Sequence, residues 1–148
     1  MERILFVCLG NICRSPMGEI ILRDLIRKAH REREFLIASA ATSSWEIGNP
    51  VYPPAREELC RHGLSCEGKQ ARQLKASEYG QWDRILAMDE RNKEDMLALF
   101  GGDPEHKIRL LMEYAGESRE VADPYFTGNF SKAYEDILTG CQALLKSL

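Results

Sequence analysis

Apolar residues in this chain come in short blocks whose internal period changes, and those changes mark out the elements. Ile4-Leu5-Phe6-Val7 is an unbroken apolar run, too short for a helix and suited to a strand covered on both faces, so residues 3–8 are expected to form a first strand. Over residues 16–31 the rhythm becomes helical: Met17, Ile21, Leu25 and Lys28 recur at steps of three and four, and Ile20, Leu22 and Ile26 widen that face. Phe35-Leu36-Ile37-Ala38-Ser39 reads as a second strand. The proline-rich stretch Asn49-Pro50-Val51-Tyr52-Pro53-Pro54 reads as a loop, followed by a helix that opens at Ala55 and stops near His62-Gly63. Arg84-Ile85-Leu86-Ala87-Met88 predicts a third strand, and Glu90 to Phe100 a helix closed by Gly101-Gly102. Ile108-Arg109-Leu110-Leu111 predicts a fourth strand, and Ser131 to Leu145 a closing helix.

Strands that alternate with helices imply an α/β fold: a parallel four-stranded sheet, Rossmann-like, with right-handed crossovers placing helices on both faces. No linker, repeat or low-complexity stretch interrupts it, so residues 1–148 are expected to form a single domain. Ligands in such sheets bind beyond the carboxyl ends of the strands, where Cys8 falls. A formal charge of −3 implies no dominant basic face, which argues against nucleic acid as a partner. Arg27-Lys28-Ala29-His30-Arg31-Glu32-Arg33-Glu34 mixes both signs and reads as a solvated helix end. Met1-Glu2-Arg3 leads straight into the first apolar run without the pattern of a signal peptide, and no run is long enough to span a membrane. Five cysteines, an odd number, suit a reducing cytoplasmic setting better than a disulfide scaffold.

The chemistry concentrates directly after the first strand, in Val7-Cys8-Leu9-Gly10-Asn11-Ile12-Cys13-Arg14-Ser15-Pro16. A cysteine and an arginine six positions apart, on a loop from a strand into a helix, can wrap one phosphate-sized dianion. The loop amides and the helix N-terminus point inward, and the same positive potential favours sulfur in its reactive thiolate form. Arg14 can grip two oxygens through its planar fork. A cysteine ending a buried strand is otherwise most often a small core residue. Context favours chemistry: Gly10 permits a strained loop, and Ser15-Pro16 reads as an N-cap with proline at the first helical position. Asp123, before Pro124 in an expected loop, is by itself an ordinary turn starter.

Cys8-Leu9-Gly10-Asn11-Ile12-Cys13-Arg14-Ser15-Pro16 resembles the signature loop of the low-molecular-weight protein tyrosine phosphatases, and Ala71-Arg72-Gln73, Met88-Asp89-Glu90 and Asp123-Pro124-Tyr125 follow in that family's order. The resemblance runs nearly end to end. It implies hydrolysis of phosphotyrosine monoesters through a cysteinyl-phosphate, with Cys8 as nucleophile, Arg14 and the loop amides on the phosphoryl oxygens, and Asp123 as general acid. It also implies that Ser15 donates its hydroxyl to the sulfur, that Asn11 holds the loop in shape, and that Trp45, Tyr125 and Phe126 form an aromatic substrate rim. Trp45 and Phe126 could instead pack a loop. Cys13 matches a cysteine that protects the nucleophile from irreversible oxidation, or it fills space. Relatives acting on phosphoarginine carry threonine at Ile12, and Trp45 resembles the eukaryotic-type branch more than the exopolysaccharide-operon branch.

Two positions depart from the pattern. Pro50-Val51-Tyr52-Pro53-Pro54 replaces a loop that often holds an acidic residue, and Lys69 stands where a histidine is usual. The first bears on partner contacts, the second on the hydrogen-bond network behind the loop. His30, His62 and His106 stand apart from any ligand-spaced cluster, so no metal and no cofactor is expected. An arsenate reductase on this fold would need a cysteine pair after the third strand, and Met88 to Gly102 holds none. Cys60 and Cys66 are expected to be half-buried bystanders and Cys141 a packed one. A silent phosphotyrosine-binding module would be expected to lack Cys8 or Asp123. Phosphotyrosine proteins or peptides, and a tyrosine kinase opposing the enzyme, are the implied partners, with the chain a monomer or weak dimer.

Overall fold

The four apolar runs pair side by side, all parallel, in the order β2-β1-β3-β4. The computed structural model describes residues 1–148. β1 spans Glu2–Cys8, β2 Phe35–Ala41, β3 Arg84–Ala87 and β4 Ile108–Leu110. Val7 stands opposite Ala40 of β2 and Ala87 of β3, so Cys8 ends an inner strand with a neighbour on each side. Strand order reverses at β1, and the crevice opens there.

Burial follows from that inner place. Ile4, Leu5, Phe6 and Val7 are wholly buried because helices cover both faces. Ile4, Phe6 and Cys8 look toward helices α1 (Arg14–Lys28), α2 (Pro53–Arg61) and α5 (Phe130–Lys146), joining Met17, Ile21, Leu59 and Ile137 in one core. Leu5 and Val7 look the other way, toward Met96 of α3 (Glu90–Phe100) and Trp82. Each fully buried large apolar side chain contributes about 2 kcal/mol. No helix is long and apolar enough to cross a membrane.

α3 occupies the expected residues, capped by Asp89 and ended by Gly101 at φ 72°. Other boundaries moved for local reasons. α1 begins at Arg14 rather than residue 16, and Pro16 sits inside the first turn, where the missing amide costs nothing. It stops at Lys28 rather than 31 because His30 turns left-handed (φ 56°) and Arg31 N bonds the Ile26 carbonyl. That is the Schellman closure usually given to glycine. α2 begins two residues before Ala55, with Pro53 and Pro54 in its first turn. β2 continues beyond Ser39 to Ala41, whereas β3 stops at Ala87 and β4 at Leu110, Leu111 opening a 3-10 turn. The expected loop after Asp123 holds a one-turn helix α4, Pro124–Thr127, and α5 gains a residue at each end.

Candidate active site

The chain leaves β1 at Cys8, rounds a tight loop, and enters α1 at Arg14. Cys8 Sγ accepts from the backbone amides of Asn11 (3.3 Å) and Ser15 (3.4 Å) and lies 3.0 Å from Ser15 Oγ. The left-handed position belongs to Asn11 (φ 58°) and not to Gly10, which corrects the role expected of that glycine. Asparagine tolerates the conformation, and its side chain ties it down. Asn11 Nδ2 donates to Ser15 Oγ at 2.7 Å and to Ser39 Oγ at 3.0 Å, while its Oδ1 accepts from the Arg72 amide at 3.1 Å. Because Ser15 Oγ already accepts from Asn11, its own proton points to the sulfur at 3.0 Å in preference to the Ala40 carbonyl at 3.4 Å. Ser15 is therefore not the expected N-cap; Cys13 holds that position and makes no side-chain cap bond.

Arg14 is 2% exposed. Its Nη1 donates to Asp89 Oδ2 (2.7 Å) and the Val121 carbonyl (2.9 Å), and its Nη2 to Asp123 Oδ2 (3.3 Å). Burial disfavours its charge, but the Cys8 sulfur and the Asp123 and Asp89 carboxylates outweigh that and hold its pKa above the usual arginine value. Asp123 caps α4, its Oδ1 accepting from the Tyr125 amide at 3.0 Å. One carboxylate thus faces both the arginine and the space above the sulfur.

That space is a cavity of about 120 Å³. Cys8, Gly10, Ile12, Cys13 and Arg14 form its floor; Trp45, Glu46, Tyr125 and Phe126 form its walls, with Asp123 between. Trp45 and Phe126 are each 74% exposed and Tyr125 51%, so these rings do not pack a loop interior. Tyr125 is braced by Phe126 edge-on at 5.3 Å and by Tyr52 at 5.1 Å. Cys13 is buried beside Cys8, and burial, reinforced by the Cys8 sulfur and Asp123, pushes its thiol pKa well up.

Residues 3–148 match the family model described as low molecular weight phosphotyrosine protein phosphatase. The chain belongs to that family. It is 42% identical to the low molecular weight protein-tyrosine-phosphatase YfkJ of Bacillus subtilis, an alignment covering 100% of this chain and 96% of that one. The crystal structure of YfkJ superposes with a TM-score of 0.96 over 99% of this chain and 94% of that one. The Gallus gallus low molecular weight phosphotyrosine protein phosphatase is 39% identical, covering 99% of this chain and 95% of its own. A Drosophila arginine phosphatase structure is 35% identical, with a TM-score of 0.88 over 99% of this chain and 97% of that one.

Within this phosphatase-family member, Lys69 completes the network behind the loop. Ser39 Oγ donates to Glu19 Oε1 (2.6 Å), and the buried Glu19 is held by Lys69 Nζ (3.0 Å) and Arg23 Nη1 (2.7 Å). A chain of polar contacts therefore runs from Lys69 through Glu19, Ser39, Asn11 and Ser15 to the sulfur. Two site residues were not singled out from sequence. Asp89, which orients Arg14, was visible as an acidic N-cap at the carboxyl end of the third strand; Glu46 gave no signal. Cys60 is exposed rather than half-buried, Cys66 is half-buried and Cys141 buried, and all five cysteines are free. His30 and His106 lie on the surface; His62 caps α2, bonding Glu58 at 2.9 Å and stacking on Tyr134 at 3.7 Å.

Proposed function

We propose that this chain hydrolyses phosphotyrosine in proteins, with Cys8 as nucleophile, Arg14 as phosphate grip and Asp123 as acid and base. The phosphoryl dianion sits in the ring of loop amides, its phosphorus in line with Cys8 Sγ. Arg14 turns its fork onto two equatorial oxygens, while Asp89 and Val121 keep Nη1 aimed. Sulfur attacks as the phenolic P–O bond breaks, and Asp123 passes its proton to the leaving oxygen. Water then attacks the cysteinyl-phosphate, Asp123 takes the water's proton, and the Ser15 hydroxyl at 3.0 Å eases departure of the thiolate. Trp45, Tyr125 and Phe126 hold the phenyl ring.

The convergence of three donors on Cys8 Sγ, beside a buried arginine already in contact with a carboxylate, carries this reading. Arsenate reduction is poorly served, since Cys13 is the only other thiol lining the cavity. Ile12 presents an apolar side chain where a phosphoarginine reader carries threonine. The free thiols fit a reducing, cytoplasmic setting, and a phosphotyrosine substrate implies a tyrosine kinase working in the opposite direction.

A peptide panel tests the proposal. Phosphotyrosine peptides should turn over at least about a hundredfold faster than phosphoserine or phosphoarginine ones, and Cys8→Ser should abolish turnover while still binding inorganic phosphate. Faster release from phosphoarginine, or activity surviving in Cys8→Ser, would overturn it.

A further inference from the structure

One carboxylate in the cavity wall has no part in the chemistry. Glu46 follows Trp45 in the loop after β2, and its side chain lies over the phosphate loop: a β-carbon on Gly10 would stand 3.5 Å from Glu46 Cγ. The group is held in place. Asn49 Nδ2 donates to its Oε2 at 2.6 Å, and the Asn49 amide to its carbonyl at 2.9 Å, so residues 46–49 form a closed turn. Arg14 is the one cation lining the cavity, and it is buried and engaged by Asp89 and Asp123 before the substrate phosphate takes it. Asp123 must carry a proton when the phosphorylated side chain arrives. Glu46 is then the negative charge that the substrate's neighbouring residues meet.

The surface around it suits a long basic side chain. Trp45 and Ile47 flank Glu46 in sequence and are 74% and 57% exposed, an apolar shelf ending at a carboxylate. Lysine and arginine lay aliphatic stems on such shelves and reach out with the charged head, and a guanidinium also favours the face of a tryptophan. An acidic neighbour would bring like charge to the same carboxylate.

We propose that Glu46 determines specificity, favouring phosphotyrosine flanked by lysine or arginine and disfavouring acidic flanks. The inference rests on the phosphotyrosine reading above. A half-exposed ion pair changes binding by about two- to fivefold, and a like-charge approach works against it by a similar factor. Basic-flanked peptides should therefore exceed acidic-flanked ones by about tenfold in kcat/KM at low salt, with the ratio shrinking in 0.5 M salt, roughly a 4 Å screening length.

The test uses three phosphotyrosine peptides that differ only in the residues flanking phosphotyrosine (lysine, glutamine or glutamate), each normalised to the same enzyme's turnover of p-nitrophenyl phosphate. Glu46→Gln should reduce the lysine-to-glutamate ratio to about twofold, and Glu46→Lys should invert it. An unchanged ratio in Glu46→Gln, or no preference in the wild type, overturns the inference while the phosphatase reading stands. Wild-type protein that cleaves p-nitrophenyl phosphate but none of the three peptides overturns both.

Discussion

Asp123 is in contact with Arg14, the proposed phosphate grip, and in its proposed acid role its value depends on the leaving group. Asp123→Ala should slow phenyl phosphate by about a hundredfold or more and an activated nitrophenyl ester far less, since only a basic phenolate needs the proton. Equal losses across a series of phenols would remove Asp123 from the acid role. Cys13 makes a separate case. Its burial beside Cys8 holds it as the thiol at neutral pH, so iodoacetamide followed by peptide mapping should label Cys8 well before Cys13. If peroxide converts Cys8 to a sulfenic acid, the Cys13 thiol can displace water from it to form a disulfide that thiol reductants reopen. Cys13→Ser should then regain much less activity than wild type after peroxide and dithiothreitol; equal recovery would make Cys13 packing alone. At this scale the sequence exposed what is local. Cys8, Arg14 and the loop between them could be read because one short segment holds the whole proposed phosphate cradle. Asp89 could not be assigned a task, since its partner Arg14 is 75 positions away in the chain. The resemblance aimed the Ser15 hydroxyl at the sulfur, while the cap role read from Ser15-Pro16 does not apply, because that hydroxyl answers to Asn11 and Cys8 in the folded loop.

Between elements, α1 comes close to β1 at Gly18. A β-carbon at Gly18 would fall 2.6 Å from Phe6 Cδ1, 2.9 Å from Phe6 Cε1 and 3.1 Å from Met88 Cε. Phe6 is wholly buried and has little room to yield, so Gly18→Ala should destabilise by about 1–3 kcal/mol despite the better helix propensity of alanine. Urea midpoints would check this, and a neutral or stabilising result would mean the helix can lift without cost. Every strand and the four long helices could be read from period and punctuation. The ends were less legible. His30 takes a left-handed position that composition assigns to glycine, and two prolines before Ala55 read as loop although a helix's first turn accepts them. α4 is a single turn nucleated by the Asp123 cap, too short to leave a periodic trace.

Across the molecule, several carboxylates outside the cavity lean on partners. Glu78 is buried, which alone would raise its pKa, but hydrogen bonds from Arg72, Lys75 N and Trp82 hold it below the usual range. Asp103 is likewise lowered, burial being outweighed by Tyr79 and the Ile108 and Lys107 amides; so is Asp136, through Arg119 and Lys132. A folded pKa below the unfolded one means stability that is complete above the unfolded value, about 4, and lost as pH falls through the lower folded value. The urea midpoint should therefore hold near neutrality and fall steeply below about pH 4. Glu78→Gln should lower the neutral midpoint and flatten that fall; an unchanged slope would show that Glu78 carries none of it. The Arg14 guanidinium adds a kinetic consequence. Its partners lie 75, 107 and 109 residues along the chain, so it is seated only after two distant segments, one at Asp89 and one at Val121 to Asp123, have closed onto it. Closures of that span are the late, slow events of folding, whereas the cradle itself is local. During refolding from urea, helix signals should therefore return before turnover does, making enzymatic activity a clock for the last step of assembly.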